Sequence, residues 1–144
     1  MWEEVKYVPG EIRVVAYDAN GYPKMEKVVK TAGKPHHIEL STYRTSLSAD
    51  GKDLAYVTAK VVDKDGNLCP LDGRLMTFSV EGAGKYRAAA NGDPTCLDIF
   101  HEPEMHAFNG LLTVIMQAGE TSGTAVLNVK AKGLKGATLS LPVK

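Results

Sequence analysis

The sequence predicts an all-β fold, and three observations support this. Apolar and polar residues alternate with a period of two in several short runs. Each run is about five to eight residues long, which is typical of strands. No window shows the i, i+3, i+4, i+7 apolar spacing of an amphipathic helix with a capping residue ahead of it. The pattern favours a sandwich of two packed sheets, although the spacing alone is also compatible with a barrel.

The first third of the chain contains one predicted hairpin. Residues 12–17 and 24–30 form alternating runs, and the segment Asp18-Ala19-Asn20-Gly21 lies between them. Asn before Gly suits a tight turn, because glycine readily adopts the positive φ that such turns need. A short run at 5–8 precedes the hairpin. Two or three strands are only marginally stable alone, so residues 1–33 are interpreted as the terminal strands of a preceding domain.

The rest of the chain supplies the other candidate strands. Alternating or apolar runs cover 55–62, 75–80, 111–116, 125–131 and 139–143. The segments 63–67 (Asp-Lys-Asp-Gly-Asn) and 133–136 are predicted turns. About seven strands are enough for a complete immunoglobulin-like sandwich of ~100 residues. We therefore predict a boundary near residues 31–35 and a second domain, an immunoglobulin-like β-sandwich, over 34–144.

Composition and charge narrow the functional class. The 144 residues include 17 Lys plus Arg and 17 Asp plus Glu, so the formal net charge is zero. Nucleic-acid-binding domains normally carry a basic excess, so no nucleic-acid partner is expected. The longest apolar stretch, 111–116, is far shorter than the ~20 residues that cross a bilayer, so no membrane span is expected. The acidic N-terminus lacks the apolar segment of a signal peptide.

A long irregular loop is predicted between residues 91 and 106. It contains Pro94, Pro103, several acidic residues, His101 and His106. Long loops in compact domains often bind partners or ligands. Pro103 lies between the two histidines, which are five positions apart, so they cannot share a helix face as the metal-binding histidines of a zincin do. A loop can still bring two histidines and a carboxylate together, but we predict no metal and no cofactor.

Adjacent His36 and His37 lie at the start of a predicted strand. Successive side chains of a strand point to opposite faces, so this pair is not expected to chelate one ion.

The two cysteines leave two alternatives open. A disulfide between Cys69 and Cys96 would close a loop of about 28 residues and contribute ~3–4 kcal/mol by chain entropy. However, Cys69 adjoins Pro70, and Cys96 lies in the irregular loop. Since nothing in the sequence brings the two together, two free thiols are the favoured alternative.

The aromatic residues make a carbohydrate-binding module the main rival function. Sugar rings stack on aromatic side chains that are exposed on one sheet face. The candidates are scattered along the chain: Trp2, Tyr7, Tyr17, Tyr22, Tyr43, Tyr56 and Tyr86. Their usual role is packing inside the protein.

Several segments carry a resemblance to a known family. Residues 8–18, Val-Pro-Gly-Glu-Ile-Arg-Val-Val-Ala-Tyr-Asp, are followed by the linker-like segment 31–35, Thr-Ala-Gly-Lys-Pro. Residues 49–58 and 61–67 contain Ala-Asp-Gly-Lys-Asp and Val-Val-Asp-Lys-Asp-Gly-Asn. The most specific matches are 91–95, Asn-Gly-Asp-Pro-Thr, and 107–110, Ala-Phe-Asn-Gly. Together these segments resemble the C-terminal immunoglobulin-like domains of family 2 glycoside hydrolases, and bacterial β-galactosidases in particular.

The resemblance implies a non-catalytic accessory domain at the C-terminal end of a multidomain β-galactosidase, which packs against and orients the other domains. The catalytic glutamates of that family lie in an upstream TIM barrel of ~250 residues, which this chain is too short to contain. No catalytic residue is therefore assigned here. A periplasmic or secreted location is implied by the family alone. The pattern at 49–67 is also similar to invasin-type repeats, so an adhesin-type spacer is a third alternative.

The segments expected to contact a partner are 91–95 and 100–108. Asn91 and Asp93 can cap backbone amides, while Pro94 restricts the chain. The predicted interface or ligand-loop residues are Asn91, Asp93, Pro94, Phe100, His101, His106, Phe108 and Asn109. The expected partners are other domains of the parent glycosidase, glycans in the rival hypothesis, and a second copy of the chain pairing through the free edges of residues 1–33.

Overall fold

The computed structural model describes Glu4 and residues 6–144, and these residues contain ten strands and no helix. Residue 5 of the predicted run 5–8, and Trp2, lie outside the described residues. The strands are β1 (Glu11–Tyr17), β2 (Pro23–Lys30), β3 (His37–Ser41), β4 (Leu54–Val62), β5 (Leu75–Gly82), β6 (Gly84–Ala90), β7 (Glu104–His106), β8 (Leu111–Ala118), β9 (Gly123–Ala131) and β10 (Ala137–Val143). Nothing in this part of the chain forms an apolar helix long enough to cross a membrane.

Eight of the strands form two four-stranded antiparallel sheets. One sheet has the order β10-β9-β5-β7 and the other β3-β4-β8-β6. Alternate side chains of both sheets point inward and are buried, as Ala55, Val57, Ala59 and Val61 are on β4. The inner residues of the two sheets belong to one apolar core. The predicted all-β fold, an immunoglobulin-like sandwich preceded by a hairpin, is confirmed.

The hairpin β1–β2 forms a separate two-stranded sheet. Its turn is the predicted one: the Asp18 carboxylate accepts the backbone N–H groups of Asn20 and Tyr22, each at 2.9 Å. The register places Ile12 opposite Val29 and Ala16 opposite Met25. This face is mostly apolar, with Val14 opposite Lys27 between these pairs, and its large apolar side chains are exposed.

One strand lies inside the segment that the sequence predicts to be irregular. Residues 104–106 form β7, which pairs with β5 through Leu75–His106, Met76–Met105 and Thr77–Glu104. Only Met105 of this strand is buried. A single apolar residue gives no alternation to detect, so the sequence could not indicate this strand.

Candidate interface at the linker end of the sandwich

The strand directions bring the linker and most long loops to one end of the sandwich. Residues 31–36 lead into the start of β3, which pairs with the end of β4, and β4 in turn pairs with the start of β8. We call this the linker end. The segments found there are 31–36, 63–74, 91–96, 107–110 and 132–136. The opposite end carries 42–53 and 119–122.

A buried carboxylate connects the linker to the sandwich. Asp63 follows β4 and is only 3% exposed. Its Oδ2 accepts the Gly33 backbone N–H at 2.7 Å, and its Oδ1 accepts the N–H groups of Asp65 and Asn67. The Gly33 N–H and the Asn67 side-chain amide hold the pKa of Asp63 far below its ordinary value. The sequence indicated only a turn here, because the partner Gly33 is thirty positions away.

The predicted segment 91–95 is held by its own side chains. Asn91 Oδ1 accepts the Asp93 N–H at 3.0 Å, and Asp93 Oδ1 accepts the N–H and hydroxyl of Thr95 at 2.9 and 2.8 Å. Asn91 Nδ2 donates to the His106 carbonyl at 2.9 Å. Pro94 is exposed. This segment therefore has a fixed shape and lies beside the end of β7.

His106 contacts the Asp98 carboxylate and does not pair with His101. Asp98 Oδ2 accepts the His106 backbone N–H at 2.7 Å and lies 3.0 Å from His106 Nδ1. The backbone N–H lowers the pKa of Asp98. His101 is exposed at another point of the loop. Within the described residues no group of three or more His, Cys, Asp or Glu side chains is placed to hold a metal ion.

Residues 97–103, which we call the edge loop, begin at the linker end, where Asp98 contacts His106, and cross from one sheet to the other. The Phe100 carbonyl accepts the Ala89 N–H at 2.9 Å, and the Pro103 carbonyl accepts the Phe78 N–H at 2.8 Å. Tyr86 stacks on Phe78 with ring centroids 5.9 Å apart. Its hydroxyl donates to the carbonyls of Phe100 at 3.0 Å and Glu102 at 2.6 Å. Burial, followed by the charge of Glu102, raises the pKa of Tyr86 to about 12.

The predicted segment 107–110 forms a two-residue turn. Phe108 and Leu111 exchange both backbone hydrogen bonds, at 2.9 and 3.0 Å. Asn109 and Gly110 have φ values of 53° and 75°, as a type I′ turn requires. A Cβ on Gly110 would lie 2.4 Å from the Cys69 carbonyl oxygen. This turn therefore needs glycine for its conformation and for space. Phe108 and Asn109 are exposed on it.

Two leucines at this end were missed by the sequence analysis. Leu71 is 99% exposed and Leu97 is 94% exposed. Leu97 lies between Cys96 and Asp98, whose side chains contact Asn91 and His106. Leu71 lies in the loop that precedes Asp72, whose carbonyl accepts the Gly110 N–H. The sequence feature that could have indicated them is a leucine with polar residues and a proline nearby in a predicted loop or turn region.

Both cysteines are free thiols in the structure. Cys69 is buried, and this burial raises its pKa. Cys96 Sγ lies 3.2 Å from Asn91 Nδ2.

The described tyrosines do not gather on one sheet face. Tyr7, Tyr17 and Tyr22 belong to the hairpin region, and Tyr43 lies at the opposite end of the sandwich. The Tyr86 hydroxyl donates a hydrogen bond to the edge loop. Tyr56, which is 57% exposed, lies on the outer face of β4.

His36 and His37 correct the expectation that their side chains point apart. Their Nδ1 atoms lie 3.0 Å from each other, and their rings are perpendicular with centroids 5.2 Å apart. The prediction was wrong because only His37 belongs to β3. His36 precedes the strand, so strand alternation does not fix its side chain.

The fold and the linker-end loops define an immunoglobulin-like sandwich preceded by a hairpin and linker. The model of glycoside hydrolase family 2 C-terminal domain 5 matches residues 38–140. The chain therefore belongs to this family, as the resemblance implied.

The relatives are much longer than this chain. It is 39% identical over 137 residues to β-galactosidase BoGH2A of Bacteroides ovatus, which covers 95% of the chain and 16% of that protein. It is 26% identical to a β-glucuronidase of Formosa agariphila, over 97% of the chain and 14% of that protein. A crystal structure of a β-glycosidase from Bacteroides vulgatus matches with a TM-score of 0.91 and 26% identity, over 96% of this chain and 18% of that one.

The similarity to adhesins is a similarity of fold. The D00–D0 domain of Intimin matches 96% of this chain and 68% of that one, with a TM-score of 0.58 and 17% identity. Likeness at this level supports the sandwich architecture and carries no functional argument.

Proposed function

We propose that this chain is a non-catalytic accessory domain of a multidomain glycosidase and that it packs against the other domains through its linker end. A β-galactoside is the substrate class expected for the whole protein, since the relative with 39% identity is a β-galactosidase. The chain spans 16% of that relative's length. In a protein as long as that relative, the rest of the chain would form the domains that this one contacts.

The observation that carries this proposal is the position of Leu71 and Leu97. Both side chains are almost fully exposed, and both lie at the end of the sandwich where the linker enters. A domain attached through the linker approaches this end first. Burying a leucine contributes about 1.5–3 kcal/mol, so two such residues are well suited to a contact between domains.

The linker geometry supports the same arrangement. The Gly33–Asp63 hydrogen bond fixes the point where the linker joins the sandwich. The segments at 91–95 and 107–110 are internally hydrogen-bonded and present a preformed surface beside it. A fixed linker and preformed loops lower the entropic cost of docking.

The proposal also assigns the hairpin β1–β2 to a neighbouring domain. The family model begins at residue 38, after the hairpin and linker. We assign residues 1–33 to the preceding immunoglobulin-like domain and residues 34–144 to the C-terminal one. The exposed apolar face of β1–β2 would then be covered by the remaining strands of the preceding domain.

The experiment compares substitutions in the whole glycosidase and in the 144-residue chain. Leu71→Ser and Leu97→Ser should each lower the unfolding temperature of the whole protein but leave that of the isolated chain unchanged, because both leucines are exposed in it. The control is Tyr43→Ser, at the opposite end and fully exposed. If the leucine variants match this control in the whole protein, the linker end is not the interface.

A further inference from the structure

We propose that His36 and His37 form a binding site for a late divalent transition-metal ion such as Zn²⁺ or Ni²⁺ at the junction between the linker and the sandwich. Two imidazole Nδ1 atoms lie 3.0 Å apart and face each other. Without a metal, one of these atoms must donate a proton to the other. Imidazole nitrogens are preferred ligands of these ions.

The Glu39 carboxylate lies beside the pair on the side of His37. Its Oε1 lies 3.6 Å from His37 Nε2, which favours a hydrogen on that nitrogen. The Nδ1 of His37 is then a lone-pair acceptor, and the Nδ1 of His36 is the donor. A metal ion would replace this shared proton, while the hydrogen of His36 moves to its own Nε2 through solvent. Carboxylates that orient a metal-binding histidine in this way are common around metal sites.

The separation of the two nitrogens suits one ion. With metal–nitrogen bonds of about 2.0–2.1 Å, two ligands lie roughly 2.9 Å apart at a right angle and roughly 3.3 Å apart in a tetrahedron. The observed 3.0 Å falls between these values. A rotation of the exposed His36 ring and of the partly buried His37 ring would point both lone pairs at one ion. Two side chains supply only two ligands, so water molecules would occupy the remaining coordination positions of the ion.

The backbone of the pair is already fixed. The His36 N–H donates to the Val62 carbonyl at 2.8 Å, and the His36 carbonyl accepts the Lys135 N–H at 3.2 Å. The Ile38 N–H, directly after the pair, donates to the Lys135 carbonyl at 3.0 Å. Binding therefore requires little ordering of the chain.

The surrounding charge does not oppose a cation. The hollow beside His36 is lined by two acidic residues, Asp63 and Asp65, and by two basic ones, Lys34 and Lys64, whose formal charges cancel. Glu39 adds a further negative charge next to His37.

The test titrates ZnCl₂ into the tag-free 144-residue chain by calorimetry at neutral pH. We expect saturable binding of one ion per chain, with chemical-shift changes at the ring nitrogens of both histidines. His36→Ala and His37→Ala should each weaken binding at least about tenfold. Glu39→Gln should weaken it by roughly tenfold, as changes next to metal ligands do.

The matched control is His101→Ala, an exposed loop histidine outside the pair. It should bind zinc as the unaltered chain does. Two outcomes overturn the proposal: no saturable zinc binding by the unaltered chain, or equal affinities for His36→Ala and His101→Ala. His36 is exposed, and circular dichroism of each variant separates lost binding from lost folding.

Discussion

Replacing Tyr86 with phenylalanine tests whether its hydroxyl holds the edge loop in place. The substitution keeps the ring that stacks on Phe78 and removes only the hydroxyl. In the structure this hydroxyl donates to the carbonyls of Phe100 and Glu102. The loop would retain the two backbone hydrogen bonds that Phe100 and Pro103 accept. We therefore expect a weakened loop and an intact sandwich.

The expected loss of stability is about 1 kcal/mol. A hydroxyl has one hydrogen, so its two acceptors share it and count as little more than one hydrogen bond, worth about 0.5–1.5 kcal/mol net. The Phe100 carbonyl still accepts the Ala89 N–H, and the exposed Glu102 lies within reach of water. No buried group is thus left unpaired. For a domain of this size the loss corresponds to a decrease of roughly 3 °C in Tm.

The assay combines thermal unfolding with limited chymotrypsin cleavage at Phe100. A loss of about 1 kcal/mol raises the population of the open loop roughly fivefold, so cleavage should accelerate by a similar factor. Tyr56→Phe is the control, because that tyrosine lies on an outer face away from the loop. Equal Tm values and equal cleavage rates for the two variants would refute the role of the Tyr86 hydroxyl.

The same hydroxyl predicts a pH dependence in the alkaline range. Its pKa is raised to about 12 in the folded protein, above the ordinary value of about 10. The folded state therefore holds this proton more tightly than the unfolded state. The stabilisation is complete below about pH 10 and is lost as the pH rises through about 12. Denaturant unfolding of Tyr86→Phe should show a shallower loss of stability across this window.

Two further predictions concern the linker end. Asp63→Asn should accelerate hydrogen exchange at the Gly33 amide, because that amide donates to the Asp63 carboxylate. Folding lowers the pKa of Asp63, so its contribution to stability is present at neutral pH and is lost in acid. The Tm of the variant should therefore depend less on pH below about pH 4. Gly110→Ala should cost at least about 2 kcal/mol by denaturant unfolding, since it adds a contact at 2.4 Å to a positive φ. Gly92→Ala has a similar φ but open space and should cost only about 1 kcal/mol; equal costs would contradict the steric argument.

Local patterns predicted the parts of this structure that depend on neighbours in sequence. Alternation identified β4, because its inner residues Ala55, Val57, Ala59 and Val61 must face a core. The Asp18 turn followed from its own residue types. The contacts that build the linker end were not predictable in this way. Asp63 contacts Gly33, and the exposure of Leu97 depends on where Asp98 and His106 hold it.

Hydrogen bonds at the sheet edges bear on why a partner would contact the sandwich at its linker end. On one side, Ile38 bonds to Lys135 and Leu47 to Pro142, which joins β3 and its following loop to the other sheet. On the other side, the edge loop bonds to Ala89 and Phe78 and covers the edges of β6 and β5. These hydrogen bonds use backbone groups at the edges of the sandwich, whereas both strands of the hairpin β1–β2 are edge strands. In the arrangement that we propose, a neighbouring domain adds strands to the hairpin and contacts the sandwich through side chains. Leu71 and Leu97 are the most exposed large apolar side chains at the linker end.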